Sequence, residues 1–242
     1  IDLNGWWIKS EKNIGTIIWV HGLDSERSGG EGKLEMIKEI HDLGYSILSF
    51  DLRGHGNSSD APLGLGIREK NDIYGAIKYL YNNHDVKKVG LYGISYGGVA
   101  VLDAAINYNY DEVEIIGIFS DTPYFSVTEL LTKEVSDRTP IPHFMSKLLK
   151  FGIIQSGELF QNMNIEDVEE SMKRVSEIKF PVIIISCKND ERVPISHPER
   201  VYSYSKNSKY VAFDYCEDHG EAYETNKEKF MQEFENYFKN KF

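Results

Sequence analysis

Residues 89–99 read V-G-L-Y-G-I-S-Y-G-G-V. An apolar, strand-like run is broken by Gly93-Ile94-Ser95-Tyr96-Gly97, and residues 95–106 continue as a small, apolar, helix-compatible segment. A serine placed between two glycines where a strand becomes a helix is either part of a turn or a hydroxyl held out for chemistry. A strand-to-helix turn this sharp strains the serine backbone, and small neighbours let strand and helix pack closely. The serine Oγ then stands above the sheet, over the positive end of the following helix. The bare G-x-S-x-G pattern is weak; its place between strand and buried helix gives it weight.

The rest of the chain supplies that setting. Strand-like runs recur at residues 16–20 (TIIWV), 45–50 (YSILSF), 88–92 (KVGLY), 114–120 (EIIGIFS), 181–187 (PVIIISC) and 210–215 (YVAFDY). Most are continuously apolar rather than alternating, as in parallel strands buried on both faces. Helix-period segments lie between them. Residues 32–43 place Leu34, Ile37, Ile40 and Leu43 on one face, and residues 68–81 do the same with Ile73, Ala76, Ile77 and Leu80. Residues 221–238 carry a stripe of Phe230, Phe234, Tyr237 and Phe238, expected as one closing helix. This alternation predicts an α/β fold with a mostly parallel sheet covered on both faces.

Residues 122–176 interrupt the rhythm. They contain Pro123, Pro140 and Pro142 and short amphipathic pieces, without a strand-like run. They read as a helical cap inserted into one domain spanning 1–242. Tyr124, Phe125, Phe144, Met145, Leu148, Leu149, Phe151 and Phe160 are candidates to line a substrate pocket beneath it, or simply to pack it onto the body.

A nucleophile needs a base, and the base needs a carboxylate. In this architecture ligands meet the carboxyl ends of the strands. Of seven histidines, His219 follows the last strand in E-D-H-G-E, while His55 comes too early for the chain order Ser, Asp/Glu, His. His197 begins a helical segment, and His41, His84 and His143 fit solvated surroundings. Asp190 follows the strand P-V-I-I-I-S-C and leads the acid candidates; Asp121, ending the preceding strand, is its rival, ahead of Glu191 and Asp218. Val20-His21-Gly22-Leu23 follows an early strand, so the Leu23 and Tyr96 amides are expected to form an oxyanion hole. His21 reads as a brace for that loop, not as a catalyst.

Composition narrows the class. The chain has 242 residues and a formal net charge of −11, which argues against nucleic acid and anionic lipid as partners. No apolar run reaches membrane-spanning length, and no metal or phosphate-loop pattern occurs. Two cysteines, Cys187 and Cys216, both in apolar strand-like surroundings, predict free thiols in a reducing, cytoplasmic compartment. The chain begins at Ile1, without Met, in a segment that already reads as a strand, which leaves room for a leader or anchor upstream.

Taken together, H-G-L-D-S (21–25), D-L-R-G-H-G-N-S (51–58), G-I-S-Y-G-G (93–98), N-D-E-R-V-P (189–194) and D-H-G (218–220) resemble the α/β-hydrolase superfamily along essentially the whole chain. More narrowly, Gly5-Trp6-Trp7, Asp121-Thr122-Pro123 and the stretch from His219 to Asn226 look like small bacterial hydrolases of the esterase/lipase-like or serine-aminopeptidase-like type. Some of those carry a membrane anchor before the domain. The resemblance implies Ser95 as nucleophile, Asp190 as acid, His219 as base and the Leu23 and Tyr96 amides as oxyanion donors, with no cofactor and no metal. Tyr96 departs from the Met or Gln common after the nucleophile, which alters the pocket wall but leaves the backbone donor. Arg53 and His55 read as loop braces.

The expected activity is hydrolysis of small-molecule carboxylic esters, short to medium in acyl length, through an acyl-enzyme. A peptidase or amidase acting on small peptides, with Glu129, Glu134 or Asp137 selecting a free amine, is the alternative within enzymes. A binding module that has lost catalysis is the alternative outside them. The sequence carries no signal for oligomeric state.

Overall fold

The computed structural model describes residues 1–30, 32–138, 152, 154–156, 164–205 and 207–242. Strands β1 (Gly5–Ile8), β2 (Gly15–Val20), β3 (Tyr45–Phe50), β4 (Lys88–Ile94), β5 (Glu114–Asp121), β6 (Val182–Cys187) and β7 (Lys209–Phe213) form one sheet in the order β1-β3-β2-β4-β5-β6-β7. Only β1 runs antiparallel, against β3 at the sheet edge; the pairs from β3 through β7 are parallel. This is the α/β-hydrolase fold anticipated above.

Helices α1 (Lys33–Leu43), α2 (Lys70–His84) and α3 (Tyr96–Ile106) follow β2, β3 and β4. Helices α4 (Val127–Arg138) and α5 (Asp167–Lys173) lie in the inserted region, and α6 (Ser196–Tyr204) joins β6 to β7. The chain closes with α7 (Ala222–Thr225) and α8 (Lys227–Phe238). The parallel strands are buried on both faces, because each face has its own apolar cluster. One is built from α2, α3 and α5 against Ile18, Leu91 and Ile184; the other sets Phe230, Phe234 and Phe238 of α8 against Ile17, Tyr92 and Phe119. Burial of each α8 phenylalanine contributes on the order of 2–3 kcal/mol. No helix among the described residues is long and apolar enough to cross a membrane.

Three sequence expectations are corrected here. The buried face of α1 is Lys33, Met36, Ile37 and Ile40, while Leu34 is 50% exposed. Lys33 turns inward because its ammonium reaches the Gly220 carbonyl at 2.9 Å and pairs with Glu224, so a partnered charge displaces a leucine from the core side. The closing helix is two helices: Asn226, with φ −144°, leaves helical geometry, and its side chain accepts a hydrogen bond from the Lys229 amide to start α8 afresh. Finally, Cys187 and Cys216 are not free thiols but a disulfide, with Cα atoms 5.8 Å apart. Such bonds persist in oxidising surroundings, so the two cysteines do not mark a reducing compartment.

The chain leaves β2 toward β3 on one side and returns to β4 on the other, so the winding direction reverses between β2 and β4. The crevice over such a reversal is where open α/β sheets bind ligands.

Candidate active site

Ser95 sits at that crevice, between the end of β4 and the first residue of α3. Its φ is 54° and ψ −112°, a strained conformation for a residue with a side chain. The glycines around it are sterically required. A Cβ on Gly93 would lie 2.2 Å from the Gly97 carbonyl oxygen, and one on Gly97 would lie 2.4 Å from that of Val20. The elbow is closed from the neighbouring strand as well, where the Ser95 amide donates to the Asp121 carbonyl at 2.7 Å.

The loop after β6 carries Asp190, and the loop after β7 carries His219. The structure brings both to Ser95. His219 Nε2 lies 2.8 Å from Ser95 Oγ, and Nδ1 lies 2.7 Å from Asp190 Oδ2. The other carboxylate oxygen, Oδ1, accepts the Val193 amide at 2.8 Å, which fixes the carboxylate plane. The Asp190 side chain is fully buried and that of His219 is 9% exposed, so the chain of hydrogen bonds is shielded from water. An ionised carboxylate only accepts, so Nδ1 carries a proton and Nε2 is left to accept from the serine.

The Leu23 loop passes over the same serine. An ideal Cβ on Gly22 would stand 3.7 Å from Ser95 Cβ. Tyr96 holds the first amide of α3, which has no intrahelical acceptor. Among the described residues neither the Leu23 nor the Tyr96 amide has a hydrogen-bond acceptor. The Tyr96 ring is buried, and its hydroxyl is pushed up by that burial and by the nearby Glu69 carboxyl. Glu69 is buried in turn and accepts the Gly64 and Gly66 amides at 2.8 and 2.9 Å.

His21 holds two loops together. Its Nε2 accepts the Leu52 amide at 2.9 Å, and its Nδ1 donates to the Gly22 carbonyl at 2.7 Å. Burial lowers its pKa to about 4, which keeps it neutral and in that tautomer. Arg53 grips Asp72 through Nε and a terminal nitrogen, the shorter contact at 2.7 Å, and His55 Nδ1 contacts the Arg53 carbonyl at 2.9 Å. Asp51 accepts the Arg27 and Asn57 amides, so the 51–58 loop is tied to itself and to the segment around Arg27. His197 is buried, and its Nδ1 accepts the Phe125 amide at 3.2 Å. His41 and His84 engage the Lys9 carbonyl and the Trp7 ring.

Two of the pocket candidates, Tyr124 and Phe125, are among the described residues. Tyr124 and Phe125 are 6% and 1% exposed; the Tyr124 hydroxyl donates to the Leu65 carbonyl, and Phe125 stacks on Tyr204 beneath Arg200. Both pack onto the body. Phe144, Met145, Leu148, Leu149, Phe151 and Phe160 lie outside the described residues, as does His143. Glu129, considered as an amine selector, is paired with Arg200 at 2.6 Å.

Asp121 is close but turned away. Its carboxylate accepts the Thr122 hydroxyl at 2.9 Å and the Tyr92 hydroxyl at 3.3 Å. Full burial pushes its pKa up to about 6. The folded value lies above that of an unfolded aspartate, so the folded chain binds the proton more tightly. The burial cost is therefore absent at low pH and grows as pH rises from about 4 to about 6, reaching about 3 kcal/mol. Asp121→Asn keeps an oxygen for Thr122 and removes the charge. It is expected to melt above the parent chain at pH 7.5, with the gap narrowing by pH 4.5. Thermal denaturation at both values checks this, and a pH-independent gap would contradict it.

A family model described as serine aminopeptidase, S33, matches residues 11–154. The chain belongs to that family. The S33 match includes the Leu23 loop and the Ser95 elbow, and it ends before Asp190 and His219. Over 248 residues the chain is 26% identical to the uncharacterized protein YqkD of Bacillus subtilis (strain 168), covering 96% of this chain and 75% of that one. It spans between about half and three quarters of the length of the curated relatives it matches. Among solved structures, the esterase Pf2001 of Pyrococcus furiosus superposes with a TM-score of 0.74 at 19% identity, covering 98% of this chain and 92% of that one. The esterase EaEST of Exiguobacterium antarcticum superposes at 0.68 and 17% identity, over 98% and 96%. At these identities the S33 assignment rests on the family match, and the superpositions establish the α/β-hydrolase fold.

Sequence reasoning passed over Lys33 and Asn189 and read Cys187 and Cys216 as free thiols, and all four shape this site. Lys33 holds the carbonyl of Gly220, next to His219; an isolated lysine gives no sequence signal of burial. Asn189 and the Cys187–Cys216 pair bind the Asp190 and His219 loops to each other. Their only signal was their spacing, three residues before His219 for Cys216 and three before Asp190 for Cys187.

Proposed function

We propose that this chain is a serine hydrolase of small carboxylic esters, working through an acyl-enzyme with Ser95, His219 and Asp190 as nucleophile, base and acid. The observation that carries the reading is the unbroken run from Asp190 Oδ2 through His219 to Ser95 Oγ, at 2.7 and 2.8 Å, ending on a strained elbow. His219 takes the Ser95 proton as Oγ attacks the carbonyl carbon. Asp190 holds the imidazole in the required tautomer and stabilises the imidazolium. The Leu23 and Tyr96 amides receive the tetrahedral oxyanion, each worth about 3 kcal/mol in the transition state. His219 returns the proton to the leaving alcohol, and water repeats the sequence to release the acid.

The cap expected over residues 122–176 is kept as part of this reading; of its described helices, α5 packs into the core beside α3. A cap of this size suits short to medium acyl chains. Esterase neighbours support esters, and the S33 description supports amides as the second reading. The pairing of Glu129 with Arg200 weighs against Glu129 as a free-amine selector. A p-nitrophenyl ester series from acetate to palmitate, run beside aminoacyl-arylamides, separates them. We expect kcat/KM to peak between acetate and octanoate and to exceed arylamide turnover at least about 100-fold, since the acyl pocket rather than the fold sets the preference. A maximum at palmitate, or arylamides matching the esters, would refute the substrate assignment.

A further inference from the structure

The acid and base sit on two different loops, and each loop leaves its strand toward solvent. Glu191 and Arg192 beside Asp190 are exposed, as are Glu217 and Asp218 beside His219. A contact of 2.7 Å between two surface loops needs something to set their register. The parallel pairing of β6 with β7 ends at Cys187 and Phe213, before either catalytic group. Beyond it, the Lys188 amide donates to the Phe213 carbonyl at 2.9 Å. Next comes the disulfide, from Cys187 to Cys216, whose side chains are buried in the apolar cluster beneath the loops. Last comes Asn189: its Nδ2 donates to the Cys216 carbonyl at 2.6 Å, and its Oδ1 accepts the Cys216 amide at 2.8 Å. One side chain thus occupies both backbone groups of a single residue on the opposite loop, as a neighbouring strand would.

The offsets match. Asp190 lies three residues beyond Cys187, and His219 lies three residues beyond Cys216, so the covalent tie joins equivalent points of the two loops. From these contacts we infer that Asn189 and the Cys187–Cys216 disulfide are positioning residues, clamping the acid loop to the base loop so that the Asp190 carboxylate meets His219 Nδ1. The inference rests on the catalytic reading of Ser95, His219 and Asp190 proposed above.

Loosening the clamp lets His219 leave the carboxylate for part of the time. Turnover falls with the fraction of productive geometry, while KM is expected to stay near the parental value. A purely structural tie would lower melting temperature and leave kcat alone.

The test compares the parent chain with Asn189→Ala and with the double variant Cys187→Ser/Cys216→Ser on p-nitrophenyl butyrate, well below each melting temperature. Asn189 is exposed, so its replacement removes two hydrogen bonds and no core. In each variant we expect kcat to fall about 10- to 100-fold with KM within about twofold, as for a misplaced catalytic group. Fluorophosphonate labelling of Ser95 should slow in parallel with kcat. Folded variants with parental kcat and labelling rate would overturn the inference, as would a lowered melting temperature alone. If the double cysteine variant does not fold, Asn189→Ala, which keeps the disulfide, decides by itself. Failure of the catalytic reading shows differently: Ser95→Ala and His219→Ala would then keep their activity.

Discussion

Ser95→Ala is expected to lose all labelling by a fluorophosphonate probe and to lower kcat on p-nitrophenyl butyrate by about 10⁴- to 10⁶-fold, with the fold intact. The hydroxyl is the only part removed, and no other group stands 2.8 Å from His219 Nε2 among the described residues. What activity remains comes from the oxyanion amides and substrate binding, which alone give about 10³- to 10⁴-fold over water. Intact mass after probe treatment shows whether the adduct is gone, and circular dichroism shows whether the fold is retained. Retained labelling or turnover within about tenfold of the parent chain would remove Ser95 from the mechanism. A companion variant reads the strain at the same position. Ser95 holds φ 54°, where glycine is at ease and alanine is not. Ser95→Gly is therefore expected to be as inactive as Ser95→Ala but more stable by about 1 kcal/mol.

The parts of this site that were legible in the sequence share a physical cause. Parallel strands buried on both faces must be continuously apolar, so β2 through β6 announce themselves, and whatever follows each strand stands at the ligand edge. Ser95, Asp190 and His219 were each singled out by that position, and the structure brings all three together. The glycines at 93 and 97 were readable because backbone packing at that distance tolerates no Cβ. What stayed hidden depends on partners remote in the chain. Lys33 is buried because of Gly220 and Glu224, nearly two hundred residues away, so hydropathy periodicity put Leu34 on the inner face instead. The disulfide and the Asn189 bracket depend on two loops meeting. Tyr124 and Phe125 were pocket candidates on composition; stacking and a hydroxyl hydrogen bond placed them in the body. The single closing helix failed at Asn226, whose side chain caps α8, so the aromatic stripe belongs to α8 alone.

Asp190→Asn is expected to lower kcat by about 10⁴-fold while leaving KM within about threefold, because it reverses the imidazole rather than removing it. In the parent chain Asp190 Oδ1 accepts the Val193 amide and Oδ2 faces His219 Nδ1. An asparagine keeps its oxygen on the Val193 donor and turns its NH₂ toward the histidine. That group can only donate, so Nδ1 must offer its lone pair and the proton moves to Nε2. Nε2 then donates to Ser95 Oγ and cannot accept from it. The nucleophile is present, correctly placed and without a base. Asp121→Asn gives the contrast, since both carboxylates lie near the same histidine but only one touches it. Asp121 spends its oxygens on Thr122 and Tyr92, so its replacement should cost less than about tenfold in kcat and show itself in the pH dependence of melting. The ratio of the two losses separates an acid in direct contact from a buried neighbour. A larger loss at 121 than at 190 would transfer the acid to β5 and require His219 to swing off the carboxylate it now meets.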